Sequence, residues 1–143
     1  MQLWLGHNNA GSGAAALGVA LSSGAVPLLS ELDLTSNSID DACGEVLSLG
    51  LSGTPLLRIL RLGANRVGKK TAAGIAHALH QLPALETLEL GGNQLGNKGV
   101  AELTVGLGAY ATALRVLDLR CVDFHSSGVG GALGQLRRPT QLR

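Results

Sequence analysis

Residues 85–107 read LETLELGGNQLGNKGVAELTVGL, and the spacing within this stretch decides the fold. Leu85, Leu88 and Leu90 are followed by Asn93, Leu95 and Gly99, then by Leu103 and Leu107. The alternation through Leu88 and Leu90 has the period of a short strand. From Gly99 onward, Val100, Leu103 and Leu107 fall on one face of a helix. The same order recurs upstream. Leu57, Leu60, Leu62, Asn65 and Val67 precede Ala72, Ile75 and Leu79. Leu29, Leu32, Leu34, Asn37 and Ile39 precede Leu47 and Leu51. A weaker first copy has Leu3, Leu5, Asn8 and Ala10, a loop one residue shorter, then Leu17 and Leu21. A fifth has Leu114, Leu117, Leu119 and Phe124, then Gly128, Leu133 and Leu136. Asn8, Asn37, Asn65 and Asn93 thus recur every 28 or 29 residues. A fixed period in this range marks a solenoid, whose repeats are stabilised mainly by their neighbours. Five copies exceed the roughly three that stability requires. The expectation is one α/β solenoid domain over residues 1–143.

The asparagine has a physical reason. After each strand the chain must bend inward, which buries backbone N–H and C=O groups. An asparagine amide supplies both donors and an acceptor, so it can satisfy such a turn and tie adjacent coils together. Copy five places Val122 at this position, and valine can do neither. Either the asparagine ladder ends there, or Cys121 substitutes weakly after a one-residue shift.

Composition narrows the function classes. The formal charge of +1 provides no strong field for nucleic acid or anionic lipid. Trp4, Tyr110 and Phe124 are the only aromatic residues, too few for a base-stacking platform. Cys43 and Cys121 fall three repeats apart, about 14 Å at the spacing of sheet strands, beyond the reach of a disulfide. Reduced thiols fit a cytoplasmic location. The first 30 residues lack Asp, Glu, Lys and Arg, but glycine, serine and proline break the stretch. It also lacks the positive start of a signal peptide. The expected partner is another protein, not nucleic acid or membrane.

Three local motifs invite sharper readings. Gly11-Ser12-Gly13-Ala14-Ala15-Ala16 fits a dinucleotide-binding fingerprint, with Asp33 about 20 residues on. Yet five residues separate Leu5 from Gly11, whereas a fingerprint turn follows its strand directly. A small-residue helix start explains the segment better. His77 and His80 have metal-ligand spacing but no identifiable third ligand, which favours a solvated face. Lys69-Lys70, Arg137-Arg138 and Arg143 read as solvated charges. No Ser/His/Asp or Cys/His set is held together by spacing, so no catalytic group, metal or cofactor is expected and the chain reads as a non-enzyme.

The repeated Leu-x-Leu-x-x-Asn pattern closely resembles the ribonuclease inhibitor-like leucine-rich repeats, over nearly all 143 residues. That resemblance implies a short horseshoe, with parallel strands lining a concave face and helices covering the convex face. It implies protein–protein binding through the concave face. Ran-directed GTPase activation is the alternative that relatives with this repeat suggest, and a dinucleotide-binding enzyme a third.

Residues between the strand leucines point away from the core. The middle outward position reads Trp4, Asp33, Arg61, Glu89 and Asp118 across the copies. The preceding position reads Gln2, Glu31, Ile59, Thr87 and Val116. His7 and Arg120 follow the strands of copies one and five. Trp4, His7, Glu31, Asp33, Arg61, Glu89, Asp118 and Arg120 are therefore the candidate partner-binding residues. The charges can form an exposed ion-pair ladder, an acidic groove with an arginine anchor, or both. Gly63, Ala64, Gly91 and Gly92 either keep the groove shallow for a partner or relieve crowding where the sheet curves. Gln141-Leu142-Arg143 resembles the opening of a sixth repeat, so further repeats or self-association are expected to cover the open ends.

Overall fold

A computed structural model of the chain describes residues 1–123 and the strand Gln141–Leu142. Each repeat contributes a three-residue strand: β1 (Gln2–Trp4), β2 (Glu31–Asp33), β3 (Ile59–Arg61), β4 (Thr87–Glu89) and β5 (Val116–Asp118). A final strand, β6 (Gln141–Leu142), follows. All pair in parallel, in the order β1 to β6, so each repeat lies beside its sequence neighbours. The register aligns equivalent residues: Leu3, Leu32, Leu60, Leu88, Leu117 and Leu142 form one row. Gln141–Leu142 therefore does open a sixth strand, as its sequence suggests. Phe124, His125, Gly128, Leu133, Leu136, Arg137, Arg138 and Arg143 lie outside the described residues.

Helices α1 (Gly13–Ser22), α2 (Asp41–Gly50), α3 (Lys69–Ala78) and α4 (Gly96–Tyr110) return the chain to the next strand. Helix α4 starts three residues before the apolar periodicity does, because its first turn carries no core residue. Leu32, Leu60, Leu88 and Leu117 are fully buried, as are Ile39 and Val67 in the turns and Ile75 and Leu103 on the helices. Burying one such side chain contributes about 1.5–3 kcal/mol, and the periodic pattern repeats that contribution along the array. Glycine lets the helical layer close tightly. A Cβ at Gly50 would stand 2.1 Å from the Gly18 carbonyl oxygen, and one at Gly53 1.9 Å from that of Leu21.

The asparagine ladder is present and has a direction. The Asn65 Oδ1 accepts from the N–H groups of Asn37 and Ile39 in the preceding repeat, at 2.9 and 3.0 Å. Its Nδ2 donates to Leu34 and to Leu62, each at 2.9 Å. Asn37 serves repeat one in the same way, accepting from Asn8 and Ala10 and donating to Leu5. Asn93 accepts from Val67 N–H and donates to Leu62 and Leu90. Each amide thus closes the turn of the coil before it. Asn8 has no such coil within the chain, and its Nδ2 donates only to its own turn, at Leu5 and Gly6.

The register also settles copy five. His7, Ser36, Ala64, Gly92 and Cys121 all have positive φ and immediately precede the asparagine position. Cys121 therefore aligns with Ala64, and Val122, 1% exposed, occupies the asparagine site without a shift. The ladder ends at Asn93.

A second link between repeats involves Asp41, which the sequence pattern does not reveal. Its carboxylate accepts from Gly68 N–H at 2.8 Å, Thr71 N–H at 2.9 Å, Lys70 N–H at 3.2 Å and the Thr71 hydroxyl at 2.9 Å. Helix α3, whose own N-cap is Gly68, is thus capped by the first residue of α2. Within α2 itself, Asp40 caps through Cys43 N–H.

Asn65→Ala should leave buried backbone groups of the second repeat unpaired, at a cost of about 1–3 kcal/mol. Asn97→Ala, at an exposed position outside the ladder, should lower the melting temperature far less. Thermal unfolding of the two variants side by side checks this. Asp41 makes a pH-dependent contribution. Partial burial raises its pKa, but the hydrogen bonds from Thr71, Gly68 and Lys70 outweigh that and leave it below the ordinary aspartate value. A depressed folded-state pKa gives stability that is complete above the unfolded value, about 4, and is lost as the pH falls through the folded one. The melting-temperature gap between wild type and Asp41→Asn should therefore be full at pH 7 and shrink below about pH 4.

Candidate partner-binding face

The outward side chains of β1–β5 form two rows on the open side of the sheet. One row runs Trp4, Asp33, Arg61, Glu89, Asp118, and the other runs Gln2, Glu31, Ile59, Thr87, Val116. The sequence places these residues correctly on one face, but the structure corrects how they stand there. They are not uniformly exposed: Glu31 is 8% and Asp118 9% exposed, whereas Trp4 is 66% exposed.

Arg61 is the hub. Its Nη1 donates to Glu31 on the neighbouring strand, and it lies 3.8 Å from Asp33 and 3.6 Å from Glu89. Its closest partner is thus the diagonal Glu31 rather than Asp33, the residue directly opposite. A long guanidinium side chain reaches diagonal neighbours easily. The Glu31 hydrogen bond raises the Arg61 pKa above its ordinary value, and the charges of Glu89, Glu31 and Asp33 act in the same direction against desolvation. Gln2 Nε2 donates to the other Glu31 oxygen at 2.9 Å. The cross-strand ion pairs expected from the sequence are therefore present, with Arg61 half-buried and shared by three carboxylates of this chain.

The two aspartates of the middle row do a second, local job. Asp33 Oδ1 accepts from Thr35 N–H at 2.9 Å, and Asp118 Oδ1 from Arg120 N–H at 3.0 Å. Each carboxylate folds over its own turn, and a glycine one strand earlier leaves the space. A Cβ at Gly6 would lie 3.6 Å from the Asp33 oxygen, and one at Gly91 3.2 Å from that of Asp118. Arg120 also grips Asp118 through two side-chain hydrogen bonds, of 3.0 and 2.7 Å. Hydrogen bonding to Asp118 raises its pKa.

Glu31, Asp33, Arg61 and Glu89 thus form one cluster, and Asp118 with Arg120 a second. Between and beside them lies a shallow depression of about 400 Å³, walled by Glu89, Asp118 and Arg120 and floored by Gly63, Ala64, Gly91 and Gly92. The small residues do keep this part of the face shallow. At Gly92 there is an additional cause, since its φ of +71° favours glycine. Trp4 and His7 sit at the β1 edge and do not line the depression. Outside the face, Arg58 and Glu86 form a paired-nitrogen, paired-oxygen bridge at 3.0 Å that spacing along single strands did not suggest. Each immediately precedes its strand, and the 28-residue offset between them is the signal that could have found the pair.

The remaining motifs resolve simply. Ala10 N–H and Gly11 N–H bond to the side chain and carbonyl of Asn37, so the glycine-rich segment is tied into the ladder. Asp33 is committed to the cluster around Arg61. His77 and His80 meet edge to face at 5.4 Å, with Tyr110 beside His80. Among the described residues no three His, Cys, Asp or Glu side chains form a group that could hold a metal. Cys43 and Cys121 are both free thiols. No helix among the described residues is long and apolar enough to cross a membrane.

The Leucine Rich repeat family model matches residues 27–48 and 81–103, which span the Leu-x-Leu-x-x-Asn turns at Asn37 and Asn93 together with parts of the following helices. No curated protein matches the chain. Repeats one and three share the register of the two matched repeats, so the array is a leucine-rich repeat solenoid. Such repeats generally mediate protein–protein interaction.

The cluster makes a direct prediction. Arg61→Glu would set a fourth carboxylate among Glu31, Asp33 and Glu89, and should destabilise the fold by about 1–3 kcal/mol. Trp4→Ala, at an exposed edge position, should change stability by less than about 0.5 kcal/mol. Urea denaturation of both variants measures the difference.

Proposed function

We propose that the chain binds another protein through the open face of its sheet, as a non-catalytic module of the ribonuclease inhibitor-like kind. One observation carries this reading. Trp4, Asp33, Arg61, Glu89 and Asp118 stand in register across five strands, and the row ends at a depression floored by glycine and alanine. An exposed tryptophan is a common energetic anchor of protein interfaces, and a rim of charges sets orientation and encounter rate. The shallow floor lets a partner approach closely the backbone of the turns that follow β3 and β4. The 28–29-residue period and the helical outer layer support the subtype.

Partner capture by the chain, compared across variants that leave the fold intact, tests the reading. Gly63→Leu fills the floor, where a Cβ would meet nothing nearer than the Gly91 carbonyl oxygen at 3.4 Å. Gly63→Leu and Trp4→Ala should each weaken capture about ten-fold or more. Lys70→Glu, on helix α3, should leave it unchanged. Loss on Lys70→Glu with full retention in the two face variants would move the binding surface to the helical side.

A further inference from the structure

We infer that the depression beside Glu89 receives a lysine or arginine side chain from an extended cationic segment of the partner. This rests on the sheet face being the binding surface. Three carboxylates, Glu31, Asp33 and Glu89, share the single guanidinium of Arg61. Their claims on it are unequal. Glu31 is buried and hydrogen-bonded to Arg61, and Asp33 is held by Thr35 N–H. Glu89 is the most exposed of the three: its oxygen lies 3.6 Å from Arg61 Nε, and its side chain is 36% exposed against 25% for Asp33 and 11% for Glu31. It also forms the wall of the depression. The other guanidinium at that rim belongs to Arg120 and is clamped on Asp118 by two hydrogen bonds. In the cluster around Arg61, three carboxylates face one guanidinium group.

That imbalance selects the occupant. An acidic segment would add like charge to an excess already present, which costs binding energy and discriminates against such partners. An apolar segment would strip water from Glu89 without replacing its hydrogen bonds. A cation would pair with Glu89 at the mouth of the depression. Gly63 and Gly91, just beyond the ends of β3 and β4, raise no side chain in the depression, so the segment bearing that cation can lie flat over the turns that follow these strands. An extended main chain fits this floor better than a helix, whose diameter of about 10–12 Å needs a deeper groove.

The test uses two fluorescein-labelled nonapeptides, one alternating lysine with glycine and one alternating glutamate with glycine. Each is titrated with the full chain and followed by fluorescence anisotropy. The lysine peptide should bind, and the glutamate peptide should not. Binding should weaken about five-fold in Glu89→Gln and stay unchanged in Glu102→Gln, an exposed charge on α4. It should also fall as salt rises from about 20 mM to about 200 mM. Thermal melts confirm that both variants are folded. Equal loss in Glu102→Gln would reveal unspecific charge attraction and overturn the inference. So would equal binding of the glutamate peptide, or no binding of the lysine peptide. Because Gly63→Leu blocks the face by bulk rather than charge, its effect on partner capture survives if the cationic assignment alone is wrong.

Discussion

A buried asparagine amide that serves the coil before its own holds this solenoid together. Each turn after a strand exposes N–H and C=O groups to an apolar interior, where an unpaired group is costly. Asn37, Asn65 and Asn93 meet that demand through both ends of the amide, accepting from one turn and donating into two. Strand register, the leucine rows and the helical layer all assume that these turns stay closed. The chemistry is specific to an amide: aspartate would lack the donors, and valine, as at Val122, lacks donor and acceptor alike.

On the helical side the link between repeats runs the opposite way, from one repeat to the one after it. Asp41 on α2 caps α3 across the repeat boundary, so neighbouring units exchange hydrogen bonds at the turn and again at the helix start. Nearest-neighbour coupling of this kind is why a repeat that could not stand alone is stable in an array. It also frees the opposite sheet face from structural duty in part. There the side chains meet each other across strands rather than filling a core.

On that face, the residues of the proposed binding surface also serve stability. Glu31 and Arg61 are half or more withdrawn from water and serve the sheet first, while Asp33 and Asp118 also brace their own turns. Trp4 and Glu89 are the more exposed residues of the row. Of the two compatible readings of these charges, the cross-strand ion pairs are the one seen, with Arg61 shared by Glu31, Asp33 and Glu89. A binding surface built on pre-paired side chains loses little side-chain entropy on association.

The amino-acid sequence by itself determined the period, the strand positions, the leucine core, the asparagine ladder through Asn93, and which residues face outward; that the ladder ends at Val122 was settled by the register. These are legible because they depend on one-dimensional spacing: period two for a strand, 3.6 for a helix, and 28–29 for the coil. It even marked Gln141-Leu142 as strand-like, and those residues pair with Val116 and Leu117. Only the tertiary structure decided that Arg61 bonds diagonally to Glu31, that Asp33 and Asp118 turn toward their own loops, and that Asp41 caps the next helix. Those outcomes depend on side-chain reach and on distances between strands and helices far apart in the chain. Spacing assigns a residue to a face, but its partners are fixed only when the coils have stacked.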